Sequence, residues 1–392
     1  MLVKCSIRAA RNLKDASKIP SLRCSARYNS TVPERTRKFL NARESFRSKP
    51  LFRQIVLGTC FGTAVLIGWQ IYSFSRKGDY FVSYSLVAKQ PVSSTASIFH
   101  LQPRQDSANF ELYKDAWRRG IWNVHFKQPQ LQIVRAYTPL PPIDESAGEE
   151  EETLRFLIRN DPHGEVSSYL HKLPIGVEIA MRGPNWEYEL TPEVRQVVFF
   201  AGGTGIAPAL QIAHALLEGN KTEGDDNSRD RKLHILWANR MREDCLGGVS
   251  DAPPAESVPP KPTWSGLFSK SKPKPTPPVS QEKGLIVQEL EALKKKYPGQ
   301  VTVEYFVNAE DTWIDDDAVF RALSRFDDKD FTTGYATPQE QRQILISGPP
   351  GFISYLAGPK EWKNGREEQG AVSKIVAHAI SRNPHNVKVW KI

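Results

Sequence analysis

The chain has 392 residues, enough for two or three domains with cores of their own. Its net charge of +9 comes from the first 50 residues, which hold thirteen Lys and Arg against three acids; the remainder is near neutral, with 40 basic and 41 acidic side chains. A basic balance confined to a leader gives no support to nucleic-acid binding, and four cysteines, of which only Cys245 lies in the globular part, exclude a disulfide framework or a zinc site.

Residues 1–54 read as a mitochondrial targeting leader. Lys4, Arg8, Arg11, Lys14 and Lys18 recur at steps of three or four, so a helix lines them on one face, while Leu2, Ala9, Leu13 and Ala16 take another. A transmembrane helix is predicted over 55–75. Ile55 to Phe74 carries no charge and is bounded by Arg53 and by Arg76 and Lys77. As a helix it reaches about 30 Å, the thickness of a bilayer core. The heavier positive charge lies on the N-terminal side, which predicts Met1 in the matrix and the body in the intermembrane space if the membrane is the inner one.

Residues 79–192 read as a small antiparallel β-barrel. Strand-like runs cover Tyr80–Val87, Ser97–Leu101, Ile121–Phe126, Gln130–Val134, Thr153–Ile158 and Val177–Ala180, with prolines and glycines between them. Two stretches stand out. Arg135-Ala136-Tyr137-Thr138-Pro139 ends a strand, and alternation sends Arg135 and Tyr137 to one side and Thr138 to the other. A cation beside an aromatic face suits a ligand with a phosphate and a flat ring. Gly164, Glu165, Val166 and Ser167 mark a helix start whose amides, with the Ser167 hydroxyl, form a candidate phosphate cradle.

Residues 193–392 alternate strand and helix, the pattern of a parallel sheet covered on both faces. Strands are predicted at Val197–Ala201, Leu233–Ala238, Val301–Val307, Gln343–Ser347 and Val387–Trp390, and helices at Gly284–Tyr297, Trp313–Leu323 and Gln369–Ser381. The first strand runs through Gly202, Gly203, Thr204 and Gly205 into a helix carrying Ile206, Leu210, Ala213 and Leu217. Pro208 falls in its first turn, where no amide donor is needed. The glycines permit tight turns and close backbone approach, and the helix start attracts a pyrophosphate. Residues 246–283 interrupt the domain with nine prolines and little periodicity, and read as a disordered insertion with Trp264, Leu267 and Phe268 at its middle.

In order, these motifs resemble the ferredoxin–NADP reductase superfamily, and more closely its cytochrome b5 reductase-like branch. The resemblance implies FAD and a nicotinamide dinucleotide as cofactors, and a flavin-dependent reductase activity. It implies that Arg135 pairs with the FAD pyrophosphate, that Tyr137 lies against the isoalloxazine and that Thr138 hydrogen-bonds near the flavin N5, with Pro139 closing that stretch. Gly164, Val166 and Ser167 would cradle the pyrophosphate. Ser347-Gly348-Pro349-Pro350 matches the segment near the nicotinamide, with Ser347 where most relatives carry cysteine. Thr138 and Ser347 are thus the candidate catalytic residues. Arg240 or Arg242 would meet a 2′-phosphate that Glu243 and Asp244 would oppose, which leaves NADH and NADPH both open.

Leader, span and body together resemble fungal mitochondrial flavoproteins that assist cytochrome c import and maturation. That resemblance implies haem, apocytochrome c and haem lyase as partners. The alternatives are a general NADH-cytochrome b5 reductase of the outer membrane and a non-enzymatic, flavin-stabilised assembly factor.

Overall fold

Among the described residues, seven antiparallel strands and two helices make the first domain: β1 (Val82–Pro91), β2 (Ala96–Pro103), α1 (Phe110–Arg119), β3 (Gly120–Gln128), β4 (Ile133–Tyr137), β5 (Pro139–Leu140), β6 (Leu154–Arg159), α2 (Glu165–Lys172) and β7 (Glu178–Glu189). The computed structural model describes residues 80–104, 110–143, 153–218, 231–251, 282–325, 342–363, 365–382 and 387–392. The predicted leader and span, and Trp264, Leu267 and Phe268 of the insertion, lie outside these residues. Among the described residues no helix is long and apolar enough to cross a membrane.

The strand order is β4-β3-β7-β1-β2-β6-β5. Its two outermost strands, β4 and β5, are consecutive in the chain and separated only by Thr138. The segment Ile133–Leu140 therefore pairs with β3 through its first half and with β6 through its second, joining the edges of a curled sheet. Alternation turns Leu86, Phe99, Leu101, Val124, Phe126, Phe156 and Ile158 into one core. β4 starts three residues later than expected. A turn occupies residues 129–132, with Gln132 in the left-handed region at φ 56°. The helix α1 was not expected from the sequence; among its described side chains Tyr113, Ala116 and Trp117 pack into the barrel core.

The second domain contains β8 (Gln196–Gly202), α3 (Ile206–Leu217), β9 (Lys232–Asn239), α4 (Leu285–Lys296), β10 (Val301–Val307), α5 (Asp316–Ser324), β11 (Arg342–Ser347), α6 (Pro350–Ala357), the hairpin β12 (Glu361–Lys363) and β13 (Arg366–Glu368), α7 (Lys374–Arg382) and β14 (Lys388–Lys391). Its five-stranded sheet is parallel throughout, in the order β10-β9-β8-β11-β14. Every residue of β8 is buried. Val197, Phe199 and Ala201 pack with α3 and α4, while Val198 and Phe200 pack with α5, α6 and α7. Helices thus cover both faces, as the strand's unbroken apolar run requires. The α5 helix starts at Asp316, three residues past the expected Trp313, because the Asp315 carboxylate accepts from Ala318 N (2.8 Å) and caps it.

The composition of residues 246–283 misleads at its start. Rather than belonging to a disordered insertion, Ser250 and Asp251 cover the open edge of β10. Tyr305 N donates to Ser250 Oγ (2.8 Å), and Val303 N donates to the Asp251 carboxylate (2.9 Å).

One polar residue in the apolar helix α3 fixes the domains together. A register shift in the β3–β7 ladder falls between Ile121 and Trp122. The Trp122 amide donates instead to Gln211 Oε1 (3.0 Å), and Gln211 Nε2 donates to the Pro139 carbonyl (3.0 Å). Gln211 is fully buried. Gln211→Leu leaves two buried backbone groups unpaired, so unfolding in urea should show a loss of about 3 kcal/mol. A change below about 0.5 kcal/mol would mean that water or a shifted backbone replaces both bonds.

At the far end of α3, Glu218 accepts from His214 (2.9 Å), Lys296 (2.6 Å) and Tyr297 (3.1 Å), tying α3 to α4. Burial would raise its carboxyl, but hydrogen bonds from His214 and Lys296 outweigh burial and bring it down to about 2. This stabilisation is full above the ordinary carboxyl value and lost as pH falls toward 2. Acidification from pH 5 to pH 2 should remove up to about 3 kcal/mol at this position, and Glu218→Gln should flatten that part of the stability profile.

Candidate active site

Two turns meet outside the carboxyl ends of β8 and β11, where the strand order reverses and doubly wound sheets bind ligands. The first is Gly202–Gly205 and the second is Ser347–Pro349. A Cβ on Gly205 would lie 2.3 Å from the Ser347 carbonyl oxygen, and one on Gly202 would lie 2.8 Å from the Phe352 ring. These two glycines let the turns pack on each other. Gly203 has a different reason. Its φ is +54°, and the atom nearest a Cβ there is Arg159 Nη2 at 3.7 Å. Trp237 Nε1 donates to the Gly203 carbonyl (2.9 Å) and holds that turn in place.

A cleft of about 1300 Å³ opens over these turns and runs onto the barrel. Arg135, Tyr137, Gly164, Val166, Ser167, Gly202, Gly203, Thr204, Arg240 and Pro349 all line it. Residues 214 positions apart in the chain, Arg135 and Pro349, thus line one cleft. Thr138, Pro139, Gly205, Ser347 and Gly348 are not among the lining residues. Pro139 and Ser347 are buried, and Ser347 closes the β11–β8 ladder opposite Ala201.

On the barrel side Arg135 projects into the cleft with its guanidinium 3.8 Å from the Glu165 carboxylate. Tyr137 leans on Phe126, ring centroids 5.0 Å apart, and burial pushes its hydroxyl up to about 12. The first bond of α2 runs from Ser168 N to the Gly164 carbonyl (2.9 Å), which leaves the amides of Glu165, Val166 and Ser167 outside the helix's own ladder. Ser167 lines the cleft, and its hydroxyl bonds within the turn. It donates to the Gly164 carbonyl (3.1 Å) and accepts from Asp161 N (3.2 Å), so its part is to hold the turn.

The charged run after β9 is sorted between partners. Arg242 clasps Glu310 through both forks, Nε to Oε1 at 2.7 Å. Glu243 accepts from Ser94 N (3.1 Å) and Ser94 Oγ (2.6 Å). Asp244, buried, accepts from Ser93 Oγ (2.7 Å) and Arg159 Nη2 (2.8 Å). Neither acid opposes a phosphate in the cleft as expected; both lock the β1–β2 turn of the barrel to the second domain.

Sequence reasoning missed several cleft residues: Thr95, Arg159, Asp161, Trp313, Phe352 and Tyr355. The polar turn Asn160-Asp161-Pro162-His163 directly after a buried strand was the available signal for Arg159 and Asp161. Trp313 had none, because its role depends on which turn lies opposite.

A sheet of closed antiparallel strands followed by a parallel nucleotide-type domain, with one cleft across both, defines a two-domain dinucleotide-and-flavin protein. Residues 83–189 match the oxidoreductase FAD-binding domain model and residues 199–248 the oxidoreductase NAD-binding domain model. NADH-cytochrome b5 reductase 2-A of Vanderwaltozyma polyspora is 21% identical over 253 residues, covering 64% of this chain and 66% of the relative. NADH-cytochrome b5 reductase 1 of Pyricularia oryzae is 35% identical over 200 residues, covering 49% and 59%. The matches therefore span somewhat less than two thirds of the relatives' own lengths. Among solved structures, the cytochrome b5 reductase domain of Ulva prolifera nitrate reductase superposes with a TM-score of 0.48 at 17% identity, covering 80% of this chain and 98% of that one. The chain thus carries an oxidoreductase FAD-binding domain followed by an oxidoreductase NAD-binding domain, and it is similar to NADH-cytochrome b5 reductases.

The residues present fit both cofactors. A Cβ on Gly164 would strike Ser167 Oγ at 2.6 Å and fill the cradle at the start of α2, and Gly203 leaves the second turn open toward the cleft. The cleft also exceeds the roughly 300–1,000 Å³ of pockets that take one small ligand.

Proposed function

We propose that this chain is a membrane-anchored mitochondrial FAD-dependent NAD(P)H reductase that supplies electrons to haem during cytochrome c maturation. The observation that carries the enzymatic part is the single cleft shared by the Arg135–Tyr137 strand, the α2 start and the Gly202–Thr204 turn. Bound FAD would supply two-electron acceptance from a nicotinamide and one-electron delivery onward. The chain's own residues would bind and orient. Arg135 and the amides of Glu165 and Val166 would hold the flavin pyrophosphate, and Tyr137 would offer its ring. Thr138, which sits where the strand changes partner, would place its hydroxyl by the flavin. Gly203, Thr204 and Pro349 would seat the nicotinamide half, with Ser347 fixing the turn behind it. Phe352 and Trp313 line the same cleft and would exclude water.

The charged leader, the uncharged run Ile55–Phe74 and the asymmetry of positive charge support a body in the intermembrane space. Haem, apocytochrome c and haem lyase are the partners that this placement favours. The relatives' names support a second reading, in which cytochrome b5 accepts the electrons; such a reductase would sit at the outer membrane.

The test is the visible spectrum of the detergent-purified full chain before and after anaerobic NADH or NADPH. Yellow protein bleached by either cofactor, then reoxidised by haem, is the expected result. Colourless protein sinks the flavin reading. Yellow protein that neither cofactor bleaches points to an assembly factor that uses flavin structurally. Reoxidation by cytochrome b5 but not haem favours the second reading, and protease protection in intact mitochondria separates the two locations.

A further inference from the structure

The loop after β9 carries four charged side chains in five residues, Arg240, Arg242, Glu243 and Asp244, and three of them are spent inside the protein. Arg242 is neutralised by Glu310, which grips it with both carboxylate oxygens. Glu243 is held by Ser94 and Asp244 by Ser93 and Arg159, on the barrel side of the domain boundary. Arg240 differs from all three. It is exposed, it lines the cleft, and its carbonyl accepts from Ala309 N (3.1 Å), which pins it to the loop following β10.

The neighbours from that loop sharpen the point. Asn308, a neutral amide, lines the cleft there, while the one carboxylate of the adjoining turn that reaches back, Glu310, is taken by Arg242. Trp313 follows, half exposed at 53%, with its ring also lining the cleft. The segment after it is anchored by Tyr355, whose hydroxyl donates to the Ile314 carbonyl (3.1 Å). At this position of a parallel dinucleotide-binding sheet an acid accepts the ribose 2′-hydroxyl of NAD, whereas an arginine accommodates a 2′-phosphate. A carboxylate free to take a hydroxyl is what the local charge sorting removes, and an arginine free to take a phosphate is what it leaves.

We propose that Arg240, beside Asn308 and Trp313, reads a 2′-phosphate, so that the dinucleotide accepted at this cleft is the 2′-phosphorylated one. The inference rests on the reading of the Gly202–Thr204 cleft as a nicotinamide-dinucleotide site and adds which member of that class it takes. Arg240 gives the fork for the phosphate, and Trp313 offers a flat face to the purine.

Fragments that lack the nicotinamide test it without reading redox activity. The detergent-purified full chain is titrated calorimetrically with 2′,5′-ADP and with 5′-AMP. The expected result is binding of 2′,5′-ADP tighter by about ten-fold or more, as a charge-assisted fork supplies. Arg240→Met should abolish that difference while leaving 5′-AMP binding in place, Arg240→Lys should keep part of it, and added salt should weaken 2′,5′-ADP more than 5′-AMP. Equal affinity for the two fragments, with 5′-AMP clearly bound, overturns the proposal and leaves the dinucleotide site standing. Retention of the preference in Arg240→Met also overturns it. Binding of neither fragment by yellow protein overturns the dinucleotide reading and this proposal together. Because Arg240 is exposed, loss of fold in the variant is checked by its retained absorbance and unfolding midpoint.

Discussion

Gly205→Ala should unfold about 3 kcal/mol more easily than the native chain and lose its affinity for nicotinamide dinucleotides. The backbone of Gly205 is already helical (φ −61°, ψ −4°), so alanine fits there conformationally. The obstacle is what surrounds it. The new methyl would lie 2.3 Å from the Ser347 oxygen, 2.7 Å from the Ser347 carbonyl carbon and 3.0 Å from Gly348 N. All three are backbone atoms, so no rotamer change relieves the contact, and the β8 and β11 turns must move apart. Gly203→Ala is the counterpart. There the left-handed backbone costs alanine about 1 kcal/mol, yet no atom lies closer than 3.7 Å. That variant should stay folded and carry its methyl toward the cleft. Denaturant unfolding and calorimetry with dinucleotide on both variants decide the matter. If Gly205→Ala proves no less stable than Gly203→Ala, the turns are not packed as tightly as these distances require.

The contrast between the two glycines marks the limit of what a sequence discloses. That a glycine turn joins β8 to α3 was legible, because an apolar run, a turn and a helical period occur in one short stretch. Which glycine serves the ligand and which serves packing was not, since Ser347 lies 142 residues away. The same holds for charge. Arg240, Arg242, Glu243 and Asp244 were visible as a charged run after a strand, but the side-chain partners of the last three come from three other places: Glu310, the Ser93–Ser94 turn and Arg159. A one-dimensional pattern gives a side chain's sign without its neighbour's.

Secondary structure was legible where burial is one-sided or complete and failed where the signal is short. β10 runs over the expected Val301–Val307, and α4 spans Leu285–Lys296 within the expected Gly284–Tyr297. α6 escaped notice because Gly348-Pro349-Pro350-Gly351 reads as a turn, whereas Pro350 is the first helical residue and needs no amide donor. Gln211 is a subtler case. Gln211 and His214 are the two polar residues of Ile206–Leu217, and the register shift at Trp122 accounts for the first.

Arg135→Ala should weaken FAD binding by about 10- to 100-fold, the range expected when a charge-assisted contact to a phosphate is lost. Fold stability should change little. Arg135 is more than half exposed, and its ion pair with Glu165, at 3.8 Å, is open and loose enough to contribute about 0–1 kcal/mol. That pair supplies the control. Glu165 sits in the first turn of α2, beside the amides that would take the pyrophosphate, so its charge competes with a phosphate for Arg135. Glu165→Gln should therefore leave FAD binding unchanged or tighter, most clearly at low ionic strength. Both variants remove the same ion pair, so an effect of the pair alone would be the same in each. Opposite effects on FAD retention, read by flavin fluorescence on titrating the apoprotein, assign Arg135 to the cofactor. Equal weakening by both would make the Arg135–Glu165 contact a scaffold for the α2 start and remove Arg135 from the flavin site.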